Sequence, residues 1–158
     1  MTIDIISVGK IKEPFVLDGI AHYHKYLKPF TTLSFLHVTP AKIPKKPSQG
    51  DINQVKQKEA QAIRKQKKKG YTIALSPEGK KVTSHTFARL IKDIGIYHDS
   101  TITFIIGGSY GIDEGFKREC DLIISMSRLT FPHQLSALIL SEQLFRAFKI
   151  NNNESYHK

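Results

Sequence analysis

The chain has 158 residues, of which 40% are hydrophobic, and carries a net charge of +10. The length suits one domain over residues 1–158, and the composition is not that of a disordered chain. No apolar run approaches the roughly 20 residues of a membrane helix, and the N-terminus lacks a signal-peptide pattern, so we expect a cytoplasmic protein with no membrane contact.

The predicted elements alternate between strands and helices. Strands are predicted over residues 3–9, 32–38, 71–76, 101–108 and 121–127. Helices are predicted over 13–28, 51–69 (with Asp51 as N-cap and Gly70 at C′), 84–94 (with Ser84 as cap), 113–120 and 133–150. Segments 39–50, 77–81 and 128–132 are predicted as loops or turns. The alternation predicts an α/β fold with a mostly parallel sheet and helices on both faces.

The positive charge is concentrated in one stretch. Ten lysines and arginines but only two acids fall between residues 40 and 70. Such an excess favours contact with a polyanion such as RNA, although a solvated helix face would have the same composition. We predict that Lys65, Lys67 and Lys68 bind RNA phosphates.

Three loops follow the carboxyl ends of predicted strands, after Leu75, Ile106 and Met126. In an open parallel sheet such loops lie near one another and form the ligand site. The "GGSYG" loop (107–111) fits neither the dinucleotide fingerprint nor the Walker A motif, so NAD binding and NTP hydrolysis are disfavoured. The histidines show no metal-ligand spacing, so no metal is expected. The structural alternatives for these loops are a tight turn at the glycines, simple helix initiation at Pro132, and a capping or packing role for His133.

The segments "FIIGGSYG" (104–111), "SRLTFPHQLSALILSEQLFRAFKI" (127–150) and "YHK" (156–158) together resemble one family. It is the RlmH family, the small SPOUT-class methyltransferases of 23S rRNA, and the likeness covers essentially the whole chain. The resemblance implies a SPOUT-type α/β knot, in which the C-terminal segment forms a deep trefoil knot. It also implies a homodimer that binds S-adenosyl-L-methionine in the knot. The implied reaction is methylation of N3 of a pseudouridine in 23S rRNA on the assembled ribosome.

The resemblance also implies which residues form the cofactor site, chiefly through backbone groups. These are Leu75, Gly107, Gly108, Met126, Ser127, Arg128, Leu129, Thr130 and Phe131.

The C-terminal tail, residues 151–158, either frays or belongs to the active site. Chain termini commonly fray. The resemblance, however, extends to the last three residues. We therefore predict that Tyr156 stacks on the target base, that His157 handles the N3 proton, and that Lys158 meets RNA phosphate. The tail is expected to be half of a shared site, beside the cofactor pocket of its own chain or of the partner subunit, and to be fully ordered only with substrate. The helix 133–150 is expected to form most of the dimer contact.

Two other functions compete with this one. A SPOUT methyltransferase acting on tRNA would have the same fold, but the "YHK" terminus and small size favour the RlmH family. A non-catalytic ribosome-binding protein would need neither the glycine loop nor the "LTFPHQ" loop. Binding of S-adenosylmethionine would separate an enzyme from such a binding protein.

Overall fold

A computed structural model describes residues 1–158. The strands are β1 (Thr2–Val8), β2 (Thr32–Val38), β3 (Tyr71–Lys81), β4 (Thr101–Ile106) and β5 (Leu122–Ser125). The helices are α1 (Pro14–Leu27), α2 (Gln49–Gln66), α3 (Ser84–Tyr97), α4 (Glu114–Glu119) and α5 (His133–Asn151). The five strands form one sheet in the order β2-β1-β4-β3-β5, and every neighbouring pair is parallel. The predicted α/β class is confirmed.

Helices cover both faces of this sheet. On one face α1, α3 and α5 pack against alternate strand residues such as Ile3, Ile5 and Phe104, all fully buried. On the other face α2 and α4 pack against Ile6 and Ile105. The central strands are buried on both sides, which is why their sequences are mostly apolar rather than alternating, with a few buried polar residues such as Asp4 and Thr103. None of the helices is both long and apolar enough to cross a membrane. The trefoil knot stays a prediction.

The predicted turn at residues 77–81 is wrong. These residues continue β3 beyond an irregularity in its pairing with β5, where Leu75 and Lys80 both pair with Ile124. A Cβ on Gly79 would lie 2.6 Å from the carbonyl carbon of Ile124, so only glycine lets the bulged chain pass this close. The bulge moves Pro77 and Glu78 out of the ladder at the carboxyl edge of the sheet.

The predicted helix caps are displaced by one to three residues. Ser48, not Asp51, is the N-cap of α2; Asp51 completes a capping box in which its carboxylate accepts the Ser48 N–H over 2.8 Å. Thr83, not Ser84, caps α3. Gly70 is not the C′ residue of α2, because the helix ends at Gln66 and Gly70 (φ 148°) leads into β3.

Candidate functional site

The three loops that the sequence places at the carboxyl edge of the sheet do meet there. They enclose a cavity of about 260 Å³ between the ends of β3, β4 and β5 and the start of α5. Eight of the nine predicted cofactor residues line it: Leu75, Gly107, Gly108, Met126, Ser127, Leu129, Thr130 and Phe131. Arg128 does not line the cavity and is exposed. The cofactor role of all nine stays a prediction.

The glycine loop after β4 is a tight turn as well as a cavity wall. Gly111 donates its N–H to the carbonyl of Gly108 over 3.0 Å and has φ 83°, a conformation that other residues rarely adopt. A Cβ on Gly107 would lie 2.8 Å from Ile112 Cγ1 and 2.9 Å from the carbonyl carbon of Gly111. The turn therefore needs glycine whether or not a ligand is bound, and the same glycines expose backbone to the cavity.

Serine side chains hold the loop that follows β5. Ser125 donates its hydroxyl to the Ser127 carbonyl over 2.9 Å, and the Leu129 N–H donates to Ser127 Oγ over the same distance. These bonds fix the backbone of residues 125–129 at the cavity. The Leu129 side chain is 71% exposed, so this loop offers an apolar group that the chain itself does not cover.

An ion pair fixes the cavity wall formed by the end of β3. Glu78 pairs with Lys117 of α4, and Lys117 also lies 2.7 Å from Glu114. The hydrogen bond from Lys117 lowers the pKa of the Glu78 carboxyl to about 2. Lys117 is only 5% exposed. Its pairing with Glu78 ties the bulged part of β3 to α4. Ser76 and Pro77, next to Glu78, face the cavity.

His133, the first residue of α5, lines the same cavity. Its Nε2 atom is buried and makes no hydrogen bond. A Cβ on Gly9 would lie 3.1 Å from that nitrogen, so the absence of a side chain there makes room for the imidazole. The sequence suggested only a capping or packing histidine here, and its one signal for a further role was the position of His133 directly after the third loop.

The C-terminal tail folds back along α5. The Tyr156 ring packs edge-on against Phe145 at 4.8 Å between centroids, and Arg146 lies 4.7 Å over the Tyr156 ring. Burial raises the pKa of the Tyr156 hydroxyl, helped by hydrogen bonds with Tyr23 and Glu142. The tyrosine is thus a neutral donor rather than a base.

His157 is also held by the chain. Its Nδ1 lies 3.2 Å from Arg146 Nη1, and its ring packs edge-on against His85 at 4.6 Å. Tyr156 and His157 thus pack against α5 of their own chain, and His157 also packs against α3. The expectation that the tail is fully ordered only with substrate stays a prediction. Lys158 is exposed.

The tail does not reach its own chain's cavity. Tyr156, His157 and Lys158 are absent from the cavity lining, to which α5 contributes His133 and Ser136. Tyr156 contacts Glu142 instead. Glu142 follows Ser136 by six residues on α5, which is roughly 9 Å along the helix axis at 1.5 Å per residue.

The predicted RNA-binding lysines differ in their surroundings. Lys65 is exposed and Lys67 is half-buried, and neither forms an ion pair. Lys68 Nζ lies 2.9 Å from Oδ2 of Asp4, whose side chain is 1% exposed. Lys68 is therefore the counter-charge of a buried carboxylate, although its own side chain is 57% exposed. RNA binding by the three lysines stays a prediction.

Comparison with known proteins gives consistent matches over the whole chain. Residues 1–157 match the family described as "Predicted SPOUT methyltransferase". The ribosomal RNA large subunit methyltransferase H of Streptococcus uberis is 46% identical over 159 residues and that of Bifidobacterium adolescentis 43%, each covering 100% of both chains. Among solved structures, a tRNA methyltransferase from Aquifex aeolicus superposes with a TM-score of 0.53 at 14% identity, covering 92% of this chain and 69% of the other. This last likeness concerns the fold.

Proposed function

We propose a specific reaction for this chain, which belongs to the SPOUT methyltransferases and within them to the family of ribosomal RNA large subunit methyltransferase H. In this proposal the chain transfers a methyl group from S-adenosylmethionine to N3 of a pseudouridine in 23S rRNA. The observation that carries the proposal is the single cavity that gathers eight of the nine residues which the family resemblance assigns to the cofactor. The proposed substrate is the large-subunit rRNA within the assembled ribosome.

The cavity suits S-adenosylmethionine in chemistry as well as in position. Leu75, Met126 and Phe131 offer apolar surface for an adenine ring, while the loops after β4 and β5 expose backbone N–H and C=O groups for its polar edges. No acidic or basic side chain other than His133 lines the cavity, so recognition would depend on backbone groups and uncharged side chains. Bound S-adenosylmethionine would supply an electrophilic methyl group.

The acceptor nitrogen sets the remaining requirement. N3 of a pseudouridine carries a proton and is a weak nucleophile until that proton leaves. The chain must align N3 with the methyl group and help remove the proton. In this proposal His157 handles the proton, and Tyr156 stacks on the base or its neighbour.

The position of the tail supports a site shared between two copies of the chain. Tyr156 and His157 do not line their own cavity, so they can act on a base there only if a second copy brings its tail to it. We therefore propose a homodimer with α5 at its contact. Leu138 and Ile139 of α5 are only half-buried, whereas Ala137 and Ser141 are buried within the chain. A monomer in sedimentation at micromolar concentration would contradict the dimer.

Calorimetry with S-adenosylmethionine, followed by methyl-transfer assays on ribosomes and on tRNA, tests the proposed function. We expect binding of the cofactor and transfer to ribosomes alone. Cofactor binding with transfer only to tRNA would favour the related tRNA enzymes. A protein that binds ribosomes but not the cofactor would be a non-catalytic binding protein.

A further inference from the structure

A second cavity lies on the other side of the glycine loop. It has a volume of about 190 Å³ and lies between β1, α2, the proline-rich loop after β2 and the glycine loop. It shares Gly108, Ser109 and His133 with the proposed cofactor cavity. A molecule in the second cavity would therefore lie directly beside one in the first.

A buried carboxyl group forms part of its wall. Glu59 of α2 is 7% exposed, and its Oε1 accepts the N–H of Ala41 over 3.1 Å. This bond uses Oε1. The other carboxylate oxygen, Oε2, lies beside the glycine loop, where a Cβ on Gly108 would be 3.3 Å from it. Burial raises the pKa of this carboxyl, so the charged form lacks full solvation and would gain from an N–H donor.

The opposite polar group is the imidazole of His133, whose Nε2 is buried without a partner. Buried polar atoms without partners are rare in folded proteins and call for an explanation. The cavity thus presents a carboxylate oxygen that can accept a hydrogen bond and a ring nitrogen that can either donate or accept one. Val8, Ile43 and Val55 supply apolar surface between them.

The charge of the loop after β2 indicates what kind of molecule enters. The loop after β2 contributes Pro40, Ala41 and Ile43 to the cavity, and it carries Lys42, Lys45 and Lys46, all exposed and without ion pairs. A small, partly apolar cavity bordered by a lysine-bearing loop fits one planar base that has been turned out of a polyanionic strand. The volume suffices for a single pyrimidine ring.

We propose that this second cavity holds the target base, with Glu59 accepting the ring N–H that a pseudouridine has and a uridine lacks, and with His133 Nε2 hydrogen-bonding to a base carbonyl. The inference rests on the proposed function and makes it more specific. A pseudouridine has N–H groups at N1 and N3, whereas N1 of a uridine bears the sugar. Glu59 at N1 leaves N3 free to face the cofactor cavity, and it makes the enzyme selective for the isomerised base.

The test uses the full-length protein and two ribosome preparations, one with pseudouridine at the target and one, from cells lacking the responsible pseudouridine synthase, with uridine. Glu59→Gln keeps an oxygen for the Ala41 N–H but removes the charge. Asp18→Asn, at an exposed position of α1, is the matched control. For Glu59→Gln we expect cofactor affinity within about twofold of wild type. We expect kcat/KM on the pseudouridine ribosomes to fall about 10- to 100-fold, the loss typical of a hydrogen bond to a charged group, with little change on the uridine ribosomes.

Three results would overturn the inference: wild-type rates that do not distinguish the two ribosomes, a Glu59→Gln variant that loses equal factors on both, or one that loses cofactor binding. The second and third would assign Glu59 to support of the loops. Failure of the proposed function is a separate result, since wild type would then methylate neither preparation.

Discussion

Tyr156 donates its hydroxyl hydrogen to Glu142 Oε1 over 3.1 Å, which ties the end of the chain to the middle of α5. Arg146, one turn further along α5, pairs with the same carboxylate and lies over the Tyr156 ring. The tail is therefore part of the folded surface and has a fixed place relative to α5, the helix proposed to meet a second copy.

Deleting residues 156–158 should abolish methyl transfer to ribosomes while leaving the fold and cofactor binding intact, because these residues line no part of their own cavity. His157→Ala should act in the same way. Tyr156→Phe removes only the hydroxyl and should cost about 1 kcal/mol of stability. Transfer assays, calorimetry and urea unfolding measure the three effects.

Mixed dimers would show in which copy the tail acts. One subunit of the mixed dimer carries Gly107→Val and an intact tail, and the other lacks residues 156–158. This dimer should regain activity at one of its two sites, where the intact tail meets the intact cavity. No recovery on mixing would mean that the tail serves its own chain. Near-normal transfer by the deletion variant alone would mean that it has no role in the reaction.

Gly107→Ala should abolish binding of S-adenosylmethionine. The added Cβ would lie 2.9 Å from the carbonyl carbon of Gly111, so the glycine loop must move away from its position at the cavity. Gly107→Val and Gly108→Val should have the same effect. Gly50→Ala is the matched control, since its Cβ would lie 3.6 Å from Ser48 Oγ in ordinary contact. Unchanged affinity in a folded Gly107 variant would remove this loop from the site.

Much of the fold could be predicted because the signals are local. The runs at residues 3–8 and 101–106 are mostly apolar, since these strands are buried on both faces. The bulge in β3 was missed because Pro77 and Gly79 favour a turn locally, whereas the pairing that overrides them is with Ile124, far along the chain. Ser48 and Asp51 are both good capping residues, so sequence alone could not tell which one begins α2.

The cavity walls were predictable from the strand ends and from the family resemblance, but Glu59 was not. In the sequence it is one of two acids in a basic stretch, and it looks like part of a solvated helix face. Its burial follows from the way α2 packs under the glycine loop. Lys68 is the reverse case: it looked free, and the fold pairs it with Asp4.

Reversing the charge of Lys65 and Lys67 should weaken ribosome binding and flatten its dependence on salt, by roughly one unit of slope for each phosphate that the variant no longer neutralises. Lys28→Glu with Lys92→Glu, on exposed positions outside this basic stretch, is the control. Lys68 stays unchanged in this variant, because its reversal would place a second carboxylate beside the buried Asp4 and destabilise the protein. An unchanged slope in the Lys65 and Lys67 variant would identify this stretch as a solvated face.

Glu78→Gln should destabilise the protein at pH 7 but not near pH 2. The pKa of Glu78 is lowered to about 2, below its ordinary value of 4.5, so its contribution is present above pH 4.5 and is lost as the pH falls towards 2. The effect at pH 7 should be below about 1 kcal/mol, because the Glu78 side chain is 59% exposed and solvent screens the pair. Urea unfolding of both proteins across this range measures the difference, and a constant difference would rule out the ion pair as its source.

The most direct measurement is mass mapping of 23S rRNA after purified wild-type protein and isotopically labelled S-adenosylmethionine are incubated with ribosomes from cells that lack the protein. We predict one added methyl group, located at N3 of a pseudouridine. An unmodified 23S rRNA, or a methyl group on any other base, would contradict it.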